Sequence, residues 1–139
     1  GNAGCGWMST IHANSGRAAM QALISTAVMA GNNVPSQEVR SVFSSIVDLV
    51  VFLDREPLQL RDDGTAIRRQ VMEVLAVPPM QGSDTDVTVE PLFIREDFGA
   101  PLRWTGSPPP PELERRLDKV CRGQGTTLRQ VLDGRADIT

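Results

Sequence analysis

The sequence predicts a mixed α/β domain, and three observations carry that prediction. Gly16 to Ala30 is a run of small and apolar residues closed by Gly31-Asn32-Asn33 and then Pro35, the pattern of a buried helix with a glycine stop. Two apolar, β-branched runs, Val47 to Leu53 and Ile67 to Val77, flank a polar segment with Asp63-Gly64 as its turn signal, the pattern of an antiparallel hairpin. A proline stretch, Ser107 to Pro111, sets two short helical segments apart from what precedes them.

The elements follow in order. Met8 to Ala13 alternates and carries Thr10 and Ile11, as a short buried strand would, and it ends where Asn14 and Ser15 offer capping side chains. The helix from Gly16 to Ala30 places Gln21 and Ser25 on one polar strip, so its other faces are expected to be buried against a sheet or a neighbouring subunit. A second helix starts at Pro35 or Ser36, with Ser36 as cap, Glu38 in the first turn, and Val39, Val42, Phe43 and Ile46 on one face. Val47 to Leu53 is apolar almost throughout, which suits a strand covered on both faces. Gln81 to Thr88 reads as an acidic loop, Val87 to Arg95 as an edge strand, and Pro111 to Arg122 and Thr127 to Asp133 as helices, the second stopped by Gly134.

A chain of 139 residues is long enough to bury about two-thirds of its unfolded surface in one core, with no need of disulfides. Cys5 and Cys121 stand far apart with no metal-ligand spacing, so both read as reduced thiols of a cytoplasmic protein. The net charge of −3, without a basic face, argues against a nucleic-acid partner, and the pairs Arg68/Arg69 and Arg115/Arg116 read as solvated faces. The longest apolar stretch, Ser45 to Leu53, is well short of the roughly 20 residues that span a bilayer and has Asp48 inside it. The chain opens on Gly1 without a methionine and inside a probable element, so it is expected to be the later part of a longer protein.

The only histidine, His12, lies between a glycine-rich opening and the first helix. On a strand, Met8, Thr10 and His12 share one side and Ser9, Ile11 and Ala13 the other, so Thr10 and His12 can face one ligand together. The same alternation separates Ser9 from His12 and disfavours a nucleophilic triad of Ser9, His12 and Asp48. A single histidine without ligands at a usual spacing makes a poor metal site. A core histidine bonded to backbone is the bland reading of His12. Against it, an imidazole and the Asn14 amide directly before a helix N-terminus gather donors and a positive dipole end where an anion such as phosphate could sit.

These residues carry a resemblance. Thr10-Ile11-His12-Ala13-Asn14-Ser15, then Arg17, Ala19, Met29-Ala30-Gly31, Pro35, Arg40, Val47-Asp48-Leu49-Val50-Val51, Asp63-Gly64, Arg68-Arg69 and Glu73-Val74, resemble the C-terminal half of secretion ATPases of the CpaF/TadA type. These belong to the type II/type IV secretion and pilus-assembly ATPase family and power assembly of Flp-type pili. The resemblance runs from Gly1 to about Val77, and its most specific part is the string Thr10–Ser15 with the following helix. It implies that residues 1–79 are the C-terminal part of a RecA-like P-loop ATPase core, from the histidine box onward, and that 80–139 are a C-terminal extension with a small helical tail.

The resemblance further implies a homohexamer, hydrolysis of ATP with Mg²⁺, and docking on inner-membrane pilus or secretion platform proteins from the cytoplasmic side. It places His12 and Thr10 in the catalytic histidine box, and His12 and Asn14 beside the nucleotide. No G-x-x-x-x-G-K-[ST] occurs in the sequence, so the groups that hold the phosphates and Mg²⁺ are expected upstream and the isolated chain is expected to be inactive. Leu49 to Glu56 resembles a strand ending in acids, but Asp54 and Glu56 read as solvated residues at a strand exit. The alternative is a non-enzymatic assembly or regulatory module derived from such an ATPase.

Overall fold

The computed structural model describes residues 6–31, 33–59 and 65–135. Among these residues, four helices and a four-stranded antiparallel sheet make a mixed α and β fold. Helix α1 spans Gly16–Ala30 and α2 spans Ser36–Ile46; β1 is Leu49–Gln59 and β2 is Thr65–Ala76. Strands β3, Glu90–Ile94, and β4, Arg103–Trp104, follow, then helices α3, Pro111–Gly123, and α4, Leu128–Leu132. The strands lie in the order β1-β2-β3-β4, each antiparallel to its neighbour. The sheet therefore continues past residue 79, because β3 pairs directly with β2.

Helix α1 has the bounds the sequence predicts. Ser15 caps it, its hydroxyl accepting from the Ala18 amide at 3.1 Å. Met20 and Ile24 are buried and Gln21 and Ser25 exposed, but Thr26 and Met29, the latter 79% exposed, are open as well, so α1 buries one stripe rather than every face outside the polar strip. Helix α2 begins at Ser36, but Pro35 holds the cap position and no side-chain cap forms, so Ser36 is the first helical residue rather than the cap. Of its predicted apolar face, Val39 is buried and Phe43 packs against the core, whereas Val42 and Ile46 stay exposed.

The main core lies between the two helices and one face of the sheet. Met20, Ile24, Val39, Val47, Leu75, Val77 and Val89 form it, with Val50 and Phe43 at its margin. Alternation sends Ala76 to the opposite face, where it joins Leu92 and Leu113 in a second cluster bordered by Phe93 and Leu117. Helix α3 thus covers the back of the sheet at one end.

Four expectations are corrected. Met8 to Ala13 forms no strand and is exposed apart from half-buried Ala13; among the described residues no strand offers its backbone a partner, and an unpaired strand has nothing to close its hydrogen bonds. The run from Val47 to Leu53 is covered on one face only: Leu49, Val51 and Leu53 are 38%, 48% and 60% exposed. The third strand is no edge, because two residues of β4 pair with Phe93 and Ile94. Arginines 68 and 116 are not merely solvated, since each meets a carboxylate across the fold.

The hairpin forms in the expected sense, with Leu49 opposite Ala76 and Glu56 opposite Arg68. Its predicted turn signal, Asp63-Gly64, lies outside the described residues. Strand β1 does not exit at Glu56 but continues to Gln59, so Asp54 and Glu56 are mid-strand, and Arg68 Nε meets Glu56 at 3.3 Å. The last helix is shorter than expected, with Thr127 as its cap in a reciprocal capping box with Gln130 rather than its first residue, and Gly134 follows it at φ 68°, a left-handed turn that favours glycine and serves as the expected stop.

Candidate functional site

Thr10, His12 and Asn14 lie on the non-helical segment that feeds α1, and all three side chains are exposed. Ser15 is spent on the helix cap, so Asn14 is left as the amide beside the helix entry. The first turn of α1 carries no acidic residue of its own.

What holds this segment in place is the residue that follows it. Gly16 is buried where α1 presses on β2: a Cβ there would stand 2.6 Å from Leu75 Cδ1 and 3.4 Å from Glu73 Oε2. Any side chain here would have to push the Leu75 methyl aside, so glycine lets helix and strand approach this closely without repacking. The same contact brings the Glu73 carboxylate beside the positive end of α1, where a negative charge is stabilised. Glu73 therefore already occupies part of the position proposed for an anion, and a phosphate would share the helix end with it.

At the other end of the segment, Trp7 Nε1 donates to the Ile46 carbonyl at 3.3 Å. The stretch bearing Thr10 and His12 is thus tied at both ends, to the end of α2 and to β2. No pattern in the sequence points to the Trp7–Ile46 contact, because it joins residues 39 apart through a side chain and a carbonyl. Asp48 does not orient His12. Its carboxylate is held by Arg116, which removes the last member of the nucleophilic triad.

Thr10, His12 and Asn14 bring a hydroxyl, an imidazole and an amide to this segment, but it forms no strand, so the alternation expected to turn Thr10 and His12 to one side is absent. They offer no lysine for the phosphates and, among the described residues, no three His, Cys, Asp or Glu side chains gather to hold a metal ion. Two open clefts lie elsewhere, one between α3 and α4 around Pro109, Leu128 and Leu132, the other beside Pro35, Glu38 and Met80, and neither includes Thr10, His12 or Asn14. Among the described residues no helix is long and apolar enough to cross a membrane.

No known family matches this chain, and no curated protein matches it either.

Proposed function

We propose that this chain is the histidine-box portion of a RecA-like ATPase of the CpaF/TadA secretion and pilus-assembly type. The observation that carries the reading is the string Thr10–Ser15, with Thr10, His12 and Asn14 exposed, at the head of α1, an apolar helix of the predicted bounds seated on a hairpin in the predicted order. His12 and Thr10 then act on the γ-phosphate side of ATP, with Asn14 as a neighbouring contact. The phosphate-binding loop, the Mg²⁺-binding groups and the remaining strands of the RecA-like core come from residues upstream.

The full protein works as a hexameric ring on the cytoplasmic side of an inner-membrane platform, with residues 1–79 in the ATPase domain and 80–139 as its extension. The test has two parts. The coding sequence upstream of Gly1 should hold, in frame, a strand followed by G-x-x-x-x-G-K-[ST]. The protein that includes it should hydrolyse ATP with Mg²⁺ and lose at least about tenfold of its rate on His12→Ala, the scale of a positioned proton-transfer or polar group. A start codon immediately before Gly1, or Mg²⁺-dependent phosphate release by the 139-residue chain itself, would sink the reading.

A further inference from the structure

The back of the hairpin is an apolar strip that ends in two opposed arginines. Leu49, Val51, Leu53, Arg55 and Pro57 alternate onto the face of β1 that looks away from α1, and their register partners are Ala76, Val74, Val71, Arg69 and Ile67. The register shift after Phe52 skips a residue of β2, so the alternation along β1 is unbroken. Leu49, Val51 and Leu53 are 38%, 48% and 60% exposed and follow one another on this face, while exposed Ile67 lies beyond the arginine pair.

The patch adjoins a surface that is already used. Helix α3 sits on the same face at Ala76, Leu92 and Phe93, through Leu113 and Leu117, and stops short of Val51 and Leu53. One face of the sheet therefore carries two helices and the other only one.

At the far end of the strip, Arg55 and Arg69 stand directly opposite each other, both exposed, and neither forms an ion pair with a carboxylate among the described residues. Like charges facing across a strand pair are destabilising, and an anionic partner between them offsets that repulsion by attracting both. On the other side of the sheet the neighbouring pair is neutralised, Glu56 against Arg68. Strand addition is the other way to bind a sheet edge, but Pro57 interrupts the outer edge of β1 with a residue that cannot donate.

We propose that this strip is a docking surface for an acidic amphipathic helix of a partner protein. The helix lies beside α3 with its apolar stripe on Leu49, Val51 and Leu53, and carboxylates in its first turn meet Arg55 and Arg69. Acids in the first turn also suit the partner's own dipole. The proposal is independent of the ATPase reading, since it uses none of Thr10, His12 or Asn14.

The test is binding of a labelled helical peptide of about 18 residues, long enough at ~1.5 Å per residue to span the strip. It carries leucines at i, i+3, i+4 and i+7 and glutamates in its first turn; a control carries lysines in place of the glutamates. Fluorescence anisotropy with the 139-residue chain should give at least about tenfold tighter binding of the glutamate peptide. Arg55→Glu with Arg69→Glu should invert that preference, and Leu53→Asp should abolish binding of both. All these positions are exposed, and circular dichroism checks that each variant folds.

Equal binding of the two peptides, or no effect of Leu53→Asp, would overturn the proposal. So would concentration-dependent self-association that Leu53→Asp removes, which would assign the strip to a second copy. Binding to phosphatidylglycerol vesicles that the glutamate peptide cannot displace would assign it to lipid and overturn the proposal as well. Loss of peptide binding in the protein extended upstream of Gly1 would assign it to the chain's own preceding residues.

Discussion

Arg116 of α3 donates through both terminal nitrogens to the two carboxylate oxygens of Asp48, a residue 68 positions earlier at the mouth of β1. The backbone around Asp48 is fixed as well, since its carbonyl accepts from the Val77 amide at 3.0 Å. The pair thus fastens the tail helix to the junction of α2 and the sheet. The hydrogen bond to the Asp48 carboxylate raises the Arg116 guanidinium above its ordinary value.

Because both side chains are about half exposed, 52% and 45%, their mutual stabilisation should be modest. A double-mutant cycle of Asp48→Ala and Arg116→Ala should return a coupling of about 0.5–1 kcal/mol in urea denaturation. It should fall markedly by 1 M salt, where the screening length is only about 3 Å. A coupling above about 3 kcal/mol would mean that the pair is desolvated in solution.

Leu92 is 2% exposed and joins β3 to α3, so Leu92→Ala should cost about 2–5 kcal/mol. Hydrogen exchange should speed up in α3 more than in α1, because Leu92 belongs to the cluster on the back of the sheet. Equal loss in both helices would mean that the two clusters unfold as one.

At Gly16, Val should lower stability by about 2 kcal/mol, since its Cβ would stand 2.6 Å from a buried Leu75 methyl. Ala should be milder, its helix preference of up to about 1 kcal/mol over Gly offsetting part of the clash. Chemical denaturation of the two variants separates them.

The histidine segment separates structural from functional residues. Ser15→Ala removes the cap of α1 and should cost about 1 kcal/mol. His12→Ala and Asn14→Ala are exposed and should change stability by less than about 0.5 kcal/mol. A large stability loss in His12→Ala would mark it as a core residue and remove it from the candidate site.

Acid should loosen the start of α3. The hydrogen bond from Arg115, then its charge, holds the Glu112 carboxyl below its ordinary 4.5. A depressed acid contributes stability that is complete above the unfolded value and lost as pH falls through the folded one. The first turn of α3 should therefore fray as the pH drops below about 4.5 toward the lowered value, seen in the amide shifts of residues 112–115. Glu112→Gln should remove that pH dependence.

The readable parts of the fold were those set by local chemistry. The bounds of α1, the antiparallel hairpin and the stop at Gly134 each depend on a few adjacent residues. The misread parts depend on what sits across the fold. Nothing near Val51 or Leu53 in sequence tells that α3 ends before reaching them, and nothing near Arg116 tells that Asp48 waits opposite. At the candidate site, Ser15 as cap was legible from the helix start. Glu73 beside Gly16 was not, because a strand carboxylate reaches a helix end only through tertiary packing.

The two tryptophans and the absence of tyrosine give the fold a ready optical readout. Trp7 is held to the Ile46 carbonyl at the entry of the histidine segment, while Trp104 lies under the Arg129 guanidinium at 4.6 Å with its indole nitrogen bonded to Ser107. Replacing either by Phe leaves a single emitter, one at the segment that leads into α1 and one at the seam between sheet and tail. Ligand-induced shifts and tail detachment can therefore be followed separately in the same chain without attaching a dye.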